Sequence, residues 1–285
     1  MYCRLLYIFG ILGIATSLFG AATFPVVPSG EAWAFRYAPK SADYYWDYGA
    51  RLHIDLIEWK DVGIFGSLLY RSTAGYDAAQ EVTHFDPIYA FYHQAVGVEY
   101  RHWGAIGFIS VHRDCLHDID RQSHLSEFWT TVRFGLGNFN PYRESAWRVI
   151  PRMRHSNAWV QIAQGIFEEI PKAKVRFLYC GWAGPTLGAE VLSILHENNS
   201  YDGEVAAIIG AVANYGKTAC AVKGLGRIQW SQEPDSPHHE IDIRIEIGRV
   251  SPYGSLRLVY GRRFRDTRPI RPADQKAYWG VRYIF

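Results

Sequence analysis

The sequence predicts an all-β chain that closes into an antiparallel transmembrane β-barrel of about 12 strands, within a range of about 10 to 14. Three observations predict it. The N-terminus has the layout of an export signal. Later segments alternate apolar and charged residues. No stretch after residue 30 is apolar for long enough to cross a bilayer as a helix.

The export signal reads from the start of the chain. Arg4 supplies positive charge, Leu5 to Phe19 is apolar, and Gly20-Ala21-Ala22 offers small residues for cleavage after Ala22. The apolar run is about 15 residues, short of the roughly 20 a spanning helix needs. An uncleaved anchor is the alternative reading. The chain then divides into a signal peptide at 1–22, a lead, extra strand or plug at 23–45, and a barrel at 46–285. The longest later apolar stretch, Val205 to Ala213, is far too short to span as a helix. A membrane-crossing chain of this kind must satisfy its backbone groups by closing a sheet.

Alternation is strongest over His239–Gly248. Ile241, Ile243, Ile245 and Ile247 share one face, and Glu240, Asp242, Arg244 and Glu246 share the other, because side-chain direction reverses at each strand residue. The same design recurs elsewhere. Leu52, Ile54 and Leu56 oppose His53 and Asp55; Val98 and Tyr100 oppose Glu99 and Arg101; Phe128, Thr130, Val132 and Phe134 oppose Glu127, Thr131 and Arg133. Trp147, Val149 and Met153 oppose Arg148 and Arg152, and Leu256, Leu258 and Tyr260 oppose Arg257 and Arg263. In a barrel the apolar face meets lipid and the charged face meets the lumen. The expected lumenal charges are Glu99, Arg101, Arg133, Arg148, Asp242, Arg244, Glu246, Arg257 and Arg282.

Composition agrees with a membrane boundary. Aromatic residues make up 15% of the 285 residues, with 10 Trp and 19 Tyr, and such rings suit an interface between lipid and water. Trp59, Trp103, Trp147, Trp159, Trp182, Trp230 and Trp279 are expected near strand ends. A net charge of +2 without basic clustering argues against a nucleic-acid partner. Turn chemistry falls at 138–141, Gly184-Pro185, 198–200, 214–216 and 251–254. Longer gaps lie at Ser72–Gln94, Arg113–Leu125, Ser231–His238 and Arg265–Gln275, and their order does not phase into inner and outer loops. After cleavage three cysteines remain, Cys115, Cys180 and Cys220, so at most one disulfide forms; no CxxC spacing points to structural zinc.

The last eight residues, YWGVRYIF, resemble the C-terminal insertion signal of Gram-negative outer-membrane β-barrel proteins. Gly280, Tyr283 and Phe285 occupy its positions, and Trp279, Val281, Tyr283 and Phe285 alternate as an outward set opposite Arg282. The resemblance covers the final strand. It implies the bacterial outer membrane as location, with outer-membrane lipid and the barrel insertion machinery as partners, and leaves oligomeric state open.

One constellation carries possible chemistry. Six of the 11 histidines lie between residues 84 and 124. The densest piece, His112-Arg113-Asp114-Cys115-Leu116-His117-Asp118-Ile119-Asp120-Arg121, follows a candidate strand at Ala105–Val111 and is expected at its end or in a loop. Imidazoles beside carboxylates can act as acid and base, so His112, Asp114, His117 and Asp120 are the catalytic candidates. His117, Asp118 and Asp120 could hold a divalent metal, and no other cofactor is expected. Cys115 becomes a nucleophile only where its thiolate is stabilised. Solvated loop charges that pair with each other give the same pattern.

Outer-membrane phospholipase A and the lipid A 3-O-deacylase both carry His-x-Ser-Asn on a strand. The matching frame here is His112-Arg113-Asp114-Cys115, where Asp114 replaces the serine; His124-Leu125-Ser126 is followed by Glu127 in place of asparagine. Neither activity transfers. The expected function is therefore a narrow channel or structural barrel with a mixed-charge lumen. The alternative is a membrane-embedded hydrolase acting on lipid or lipopolysaccharide through His112–Arg121. A soluble periplasmic β-protein, apolar inside and charged outside, is the third reading.

Overall fold

A computed structural model describes residues 27–41, 44–77, 81–83, 87–119, 126–143, 174–187, 201–231, 236–251, 253–267 and 272–285. The described strands are β1 (Val27–Ala38), β2 (Trp46–Trp59), β3 (Val62–Ala74), β4 (Tyr76–Asp77), β5 (Val82–Thr83), β6 (Tyr89–His102), β7 (Ala105–Asp118), β8 (Ser126–Gly137), β9 (Lys174–Pro185), β10 (Gly203–Tyr215), β11 (Thr218–Trp230), β12 (His238–Ser251), β13 (Gly254–Asp266) and β14 (Ala277–Ile284). Twelve of them form one closed barrel, and β4 pairs with β5 as a separate small hairpin. Each barrel strand is antiparallel to its neighbours, and β14 closes the ring by pairing with β1 from Glu31↔Ile284 to Ala38↔Ala277. Within the 23–45 segment, Val27–Ala38 takes the extra-strand alternative: β1 is part of the wall, and the barrel begins before residue 46. Residues 1–22 and the Trp147–Met153 segment lie outside the described residues.

The faces sort as alternation requires. On β12, Ile241, Ile243, Ile245 and Ile247 are exposed on the outer wall, while Glu240, Asp242 and Glu246 are buried inside. On β13, Leu256, Leu258 and Tyr260 face out and Arg257 and Arg263 face in. This is the reverse of a soluble β-protein and removes the third reading. Aromatic residues pack against one another inside the wall in two layers. Phe35, Tyr37, Tyr44, Tyr89 and Tyr278 form one layer, and Phe65, Phe108, Tyr142 and Trp182 another. Trp182 is therefore a lumenal residue, buried within β9, and not the interfacial ring expected from its sequence position. Trp59, Trp103 and Trp230 do fall at strand ends.

Connections explain why the loops could not be phased from sequence. One barrel end carries both described termini and the tight turns β2–β3, β6–β7, β10–β11 and β12–β13. At the β6–β7 turn Trp103 and Gly104 both have positive φ, 48° and 81°, as a two-residue primed hairpin turn demands. The other end carries the longer loops. The exception is β8–β9, a long connection at the short-turn end, which breaks the alternation. Of the two places expected for the 112–118 cluster, a strand end or a loop, it takes the first and continues β7 as strand to Asp118.

Closure depends on the lumenal charges. Glu246 accepts from Arg282 at 2.6 Å and from Arg257 at 2.9 Å, with Arg244 at 3.1 Å and Lys223 at 3.8 Å. Arg282 also donates from Nε to Glu31 at 2.6 Å, across the β1–β14 seam. Five adjacent strands, β11 to β14 and β1, are joined through two carboxylates, Glu246 and Glu31, and their cations. The seam is also tight: a Cβ on Gly280 would run into the Ala34 carbonyl and the Phe35 backbone. Cys115, Cys180 and Cys220 are all free thiols, so the one disulfide that the sequence permitted does not form.

Removing one partner of such a buried cluster strands the others. We expect Arg282→Leu to cost about 3–5 kcal/mol, read as a lower urea midpoint for loss of the heat-modifiable band of the detergent-folded protein. An unchanged midpoint would sink this account of closure.

Candidate functional site

The site is assembled from the inward residues of β6 to β10 and from a segment that turns into the barrel. After β8, Asn138 to Arg143 enters the lumen from the short-turn end, with Pro141–Arg143 forming a single tight helical turn. Charged and aromatic wall residues hold it there. Asn140 donates to Glu99 at 2.7 Å, Arg51 donates to the Pro141 carbonyl at 3.2 Å, and Arg143 donates to His53 at 2.9 Å and to Asp55. Arg143 also lies 3.1 Å from Glu99, which Arg101 contacts from the same strand. Tyr142 stacks on His93, with ring centres 5.4 Å apart, and meets Phe65 and Phe108.

Beside Tyr142 lies a buried acid–base cluster. Asp114 is 2.5 Å from His93 Nδ1, 3.1 Å from His112 Nε2 and 3.4 Å from Arg133. His93 and Asp114 are directly paired across β6 and β7, and His112 is two residues along β7, so alternation places all three on one face. Arg133 is neutralised on its other side by Glu204, which also accepts from Trp182 at 3.0 Å; it donates to the Tyr142 hydroxyl at 3.2 Å. Ser110 completes the contact with Tyr142 at 3.0 Å. His112 is fully buried, and its Nδ1 has no hydrogen-bond partner among the described residues. One ligand atom from each of His93, His112 and Asp114 lies within 4.8 Å of the others, so this trio is a candidate cation-binding group.

Above this cluster is a cavity of about 230 Å³, bounded by Phe35, Tyr37 and Tyr278 on the loop side and by Tyr142 and Trp182 on the other. Its wall carries both signs of charge, including Glu31, Asp47, Arg71, Asp242 and Arg244. Asp47 is tied by Trp33 at 2.9 Å, Tyr37 at 2.9 Å and Arg71 at 2.8 Å, so the lining is fixed by mutual pairing.

The three catalytic candidates among the described residues do not all converge. His112 and Asp114 meet in the lumen, His117 points out of the barrel, and Asp120 lies outside the described residues. The expected metal set of His117, Asp118 and Asp120 fails for the same reason: His117 and Asp118 are successive strand residues and face opposite sides of the wall. Of the expected lumenal charges, Glu99, Arg133, Asp242, Glu246, Arg257 and Arg282 are buried inside; Arg101 and Arg244 are half-buried inward residues; Arg148 lies outside the described residues. Tyr283 and Phe285 are exposed on the outer wall and stack with ring centres 6.1 Å apart. Sequence reasoning missed His93, Tyr142, Trp182 and Glu204 as site residues. For His93 the signal was weak, since aromatic residues on both faces of 89–92 hide the period.

No protein-family model matches the chain, and no curated protein matches it. Among solved structures, an outer-membrane channel from Pseudomonas putida F1 is similar, at 10% identity over 92% of this chain and 96% of that one, with a TM-score of 0.53. Outer-membrane phospholipase A from Escherichia coli, as an active-site mutant, aligns at 9% identity over 92% of each chain with a TM-score of 0.49. The Salmonella typhi outer-membrane phospholipase, a dimer with bound calcium, gives 9%, 92% of each chain and 0.47. The similarity to the channel is one of fold: a closed antiparallel β-barrel of the kind found in an outer-membrane protein.

Glu99 is the shared acceptor that holds the inward segment, through Asn140, Arg143 and Arg101. We expect Glu99→Ala to loosen it by about 3–5 kcal/mol, seen as faster tryptic cleavage after Arg143 in the folded barrel. Cleavage at the native rate would show that the segment is held otherwise.

Proposed function

We propose that the chain is a bacterial outer-membrane protein whose barrel forms a narrow polar channel, closed at its short-turn end by Asn138–Arg143. The observation that carries this is the pairing of a charged cavity inside the wall with a segment bolted across one end of it. The outer wall supports the membrane setting, since rows of Ile, Val and Leu on the outside are stable in lipid and not in water. In barrels of this class the termini and short turns face the periplasm, so the inward segment blocks the periplasmic mouth. The export signal before residue 23 and the terminal Gly280, Tyr283 and Phe285 fit delivery to the insertion machinery. Mixed charge in the lining favours small polar solutes without strong selection by sign.

The test is planar-bilayer recording on the refolded protein. The double variant Tyr142→Ala, Arg143→Ala should conduct several-fold more than the native barrel, with fewer closures. Absence of current from both would leave a structural barrel.

The His93, His112 and Asp114 group supports a second, finer reading, a divalent-cation site in the channel wall. Two imidazoles and a carboxylate suit zinc, whose bonds to such ligands are about 2.0–2.2 Å. Arg133 beside Asp114 opposes it and sets a limit on affinity. Micromolar zinc should reduce the conductance of the double variant, and His112→Ala should remove that block. A block that persists in His112→Ala would place the ion elsewhere.

A further inference from the structure

The outer face of β7 carries a second constellation, distinct from the lumenal one. Cys115 and His117 are two residues apart and point out of the barrel, with Cys115 Sγ 2.8 Å from His117 Nε2. Ser126 is the direct cross-strand partner of His117 on β8, and its Oγ is 2.8 Å from His117 Nδ1. A thiol, an imidazole and a hydroxyl thus form a continuous hydrogen-bonded chain on the wall near its loop end. The level is set by aromatic neighbours. Tyr92 and Phe128 are the cross-strand partners of Cys115, and Tyr92 meets Tyr70 at 5.3 Å and the edge of His117 at 6.0 Å. Aromatic belts mark the boundary between headgroups and hydrocarbon, which is where the acyl esters of a lipid lie.

Below the thiol the same wall is grooved. An open cavity of about 390 Å³ is lined by Leu52, Ile54, Leu68, Val96 and Val111, with Arg113 at one end. Arg113 is two residues from Cys115 on the same face, and from there the groove runs sideways across β6, β3 and β2. The groove includes Gly66: a Cβ there would find only the Ala95 carbonyl, at 3.9 Å.

We propose that Cys115, His117 and Ser126 form a lipid-facing acyl-ester hydrolase site, with the groove holding the acyl chain. It rests on the membrane placement of the barrel and not on conductance. Ser126 accepts from His117 Nδ1–H and so fixes the tautomer that leaves Nε2 free as a base. His117 Nε2 takes the thiol proton, and Cys115 Sγ attacks the ester carbonyl. The carbon–oxygen ester bond breaks, the alcohol leaves with the proton from His117, and the acyl group remains on sulfur as a thioester. Water, deprotonated by His117, then cleaves the thioester to the free acid and returns the proton to Cys115. The balance is ester plus water to acid plus alcohol. Arg113 is placed to meet a phosphate or carbonyl oxygen of the bound lipid. Ser126 is a positioning residue.

The test uses the full barrel in two arms: vesicles of phosphatidylethanolamine and phosphatidylglycerol, and vesicles containing lipopolysaccharide. Release of free fatty acid and an acyl adduct on the Cys115 peptide, removable by hydroxylamine, are the readouts. Release in either arm supports the site, and the active arm identifies the lipid. Cys115→Ala should abolish the adduct, and both Cys115→Ala and His117→Ala should lower release by about 100-fold or more. Ser126→Ala should shift the pH profile of release, and Gly66→Leu should slow long-chain lipid while sparing a short soluble ester. Heat-modifiable gel migration establishes that each variant has folded and inserted, which separates failure of the site from failure of the membrane placement. Folded protein that releases no fatty acid in either arm overturns the proposal, as does Cys115→Ala with native activity.

Discussion

Glu246 and Arg282 make the contact on which the barrel's closure turns. A sheet of twelve strands has two edges until β14 meets β1, and only closure removes them. Arg282 holds that seam by reaching Glu31 on β1 from one side and Glu246 on β12 from the other. Buried ion pairs contribute little net stability compared with apolar packing, but they discriminate strongly against misplacement. A slip of one residue in β14 would turn Arg282 outward and leave Glu31 and Glu246 buried without it. The cluster therefore sets register at the seam, and the register sets everything that faces the lumen.

The same logic accounts for what the sequence could reveal. Strand parity is a local property, so the inward and outward faces of β12 and β13 were legible from residues 239–248 and 256–263. The strand number followed from counting such segments. The inward course of Asn138–Arg143 was not legible. Its Asn-Phe-Asn-Pro start has the chemistry of any surface turn, and the partners that pull it inside, Glu99, His53 and Asp55, lie about 40 to 90 residues earlier in the chain. Trp182 was misplaced for a related reason. A tryptophan near a strand end suits an interface equally well as a lumenal stack on Arg133, and only the partner strands decide.

The 112–118 cluster shows how strand parity regroups residues that are adjacent in sequence. The loop alternative would have allowed every residue to converge on every other. Once β7 runs to Asp118, parity separates them: 112, 114 and 118 enter the lumen, and 113, 115 and 117 face outward. Neighbours in sequence become strangers, and residues two apart become partners.

That separation yields a rule specific to a strand wall. A single strand can supply two residues to one site only at i and i+2, and the third must come across the ladder. On the inside, His112 and Asp114 are completed by His93 from β6. On the outside, Cys115 and His117 are completed by Ser126 from β8. One strand therefore serves two environments about a side chain's length apart. The inner group is desolvated, paired with Arg133 and covered by Tyr142, so it is closed off from the surroundings of the barrel. The outer group is open to whatever surrounds the barrel, which is the condition a nucleophile needs to meet a lipid.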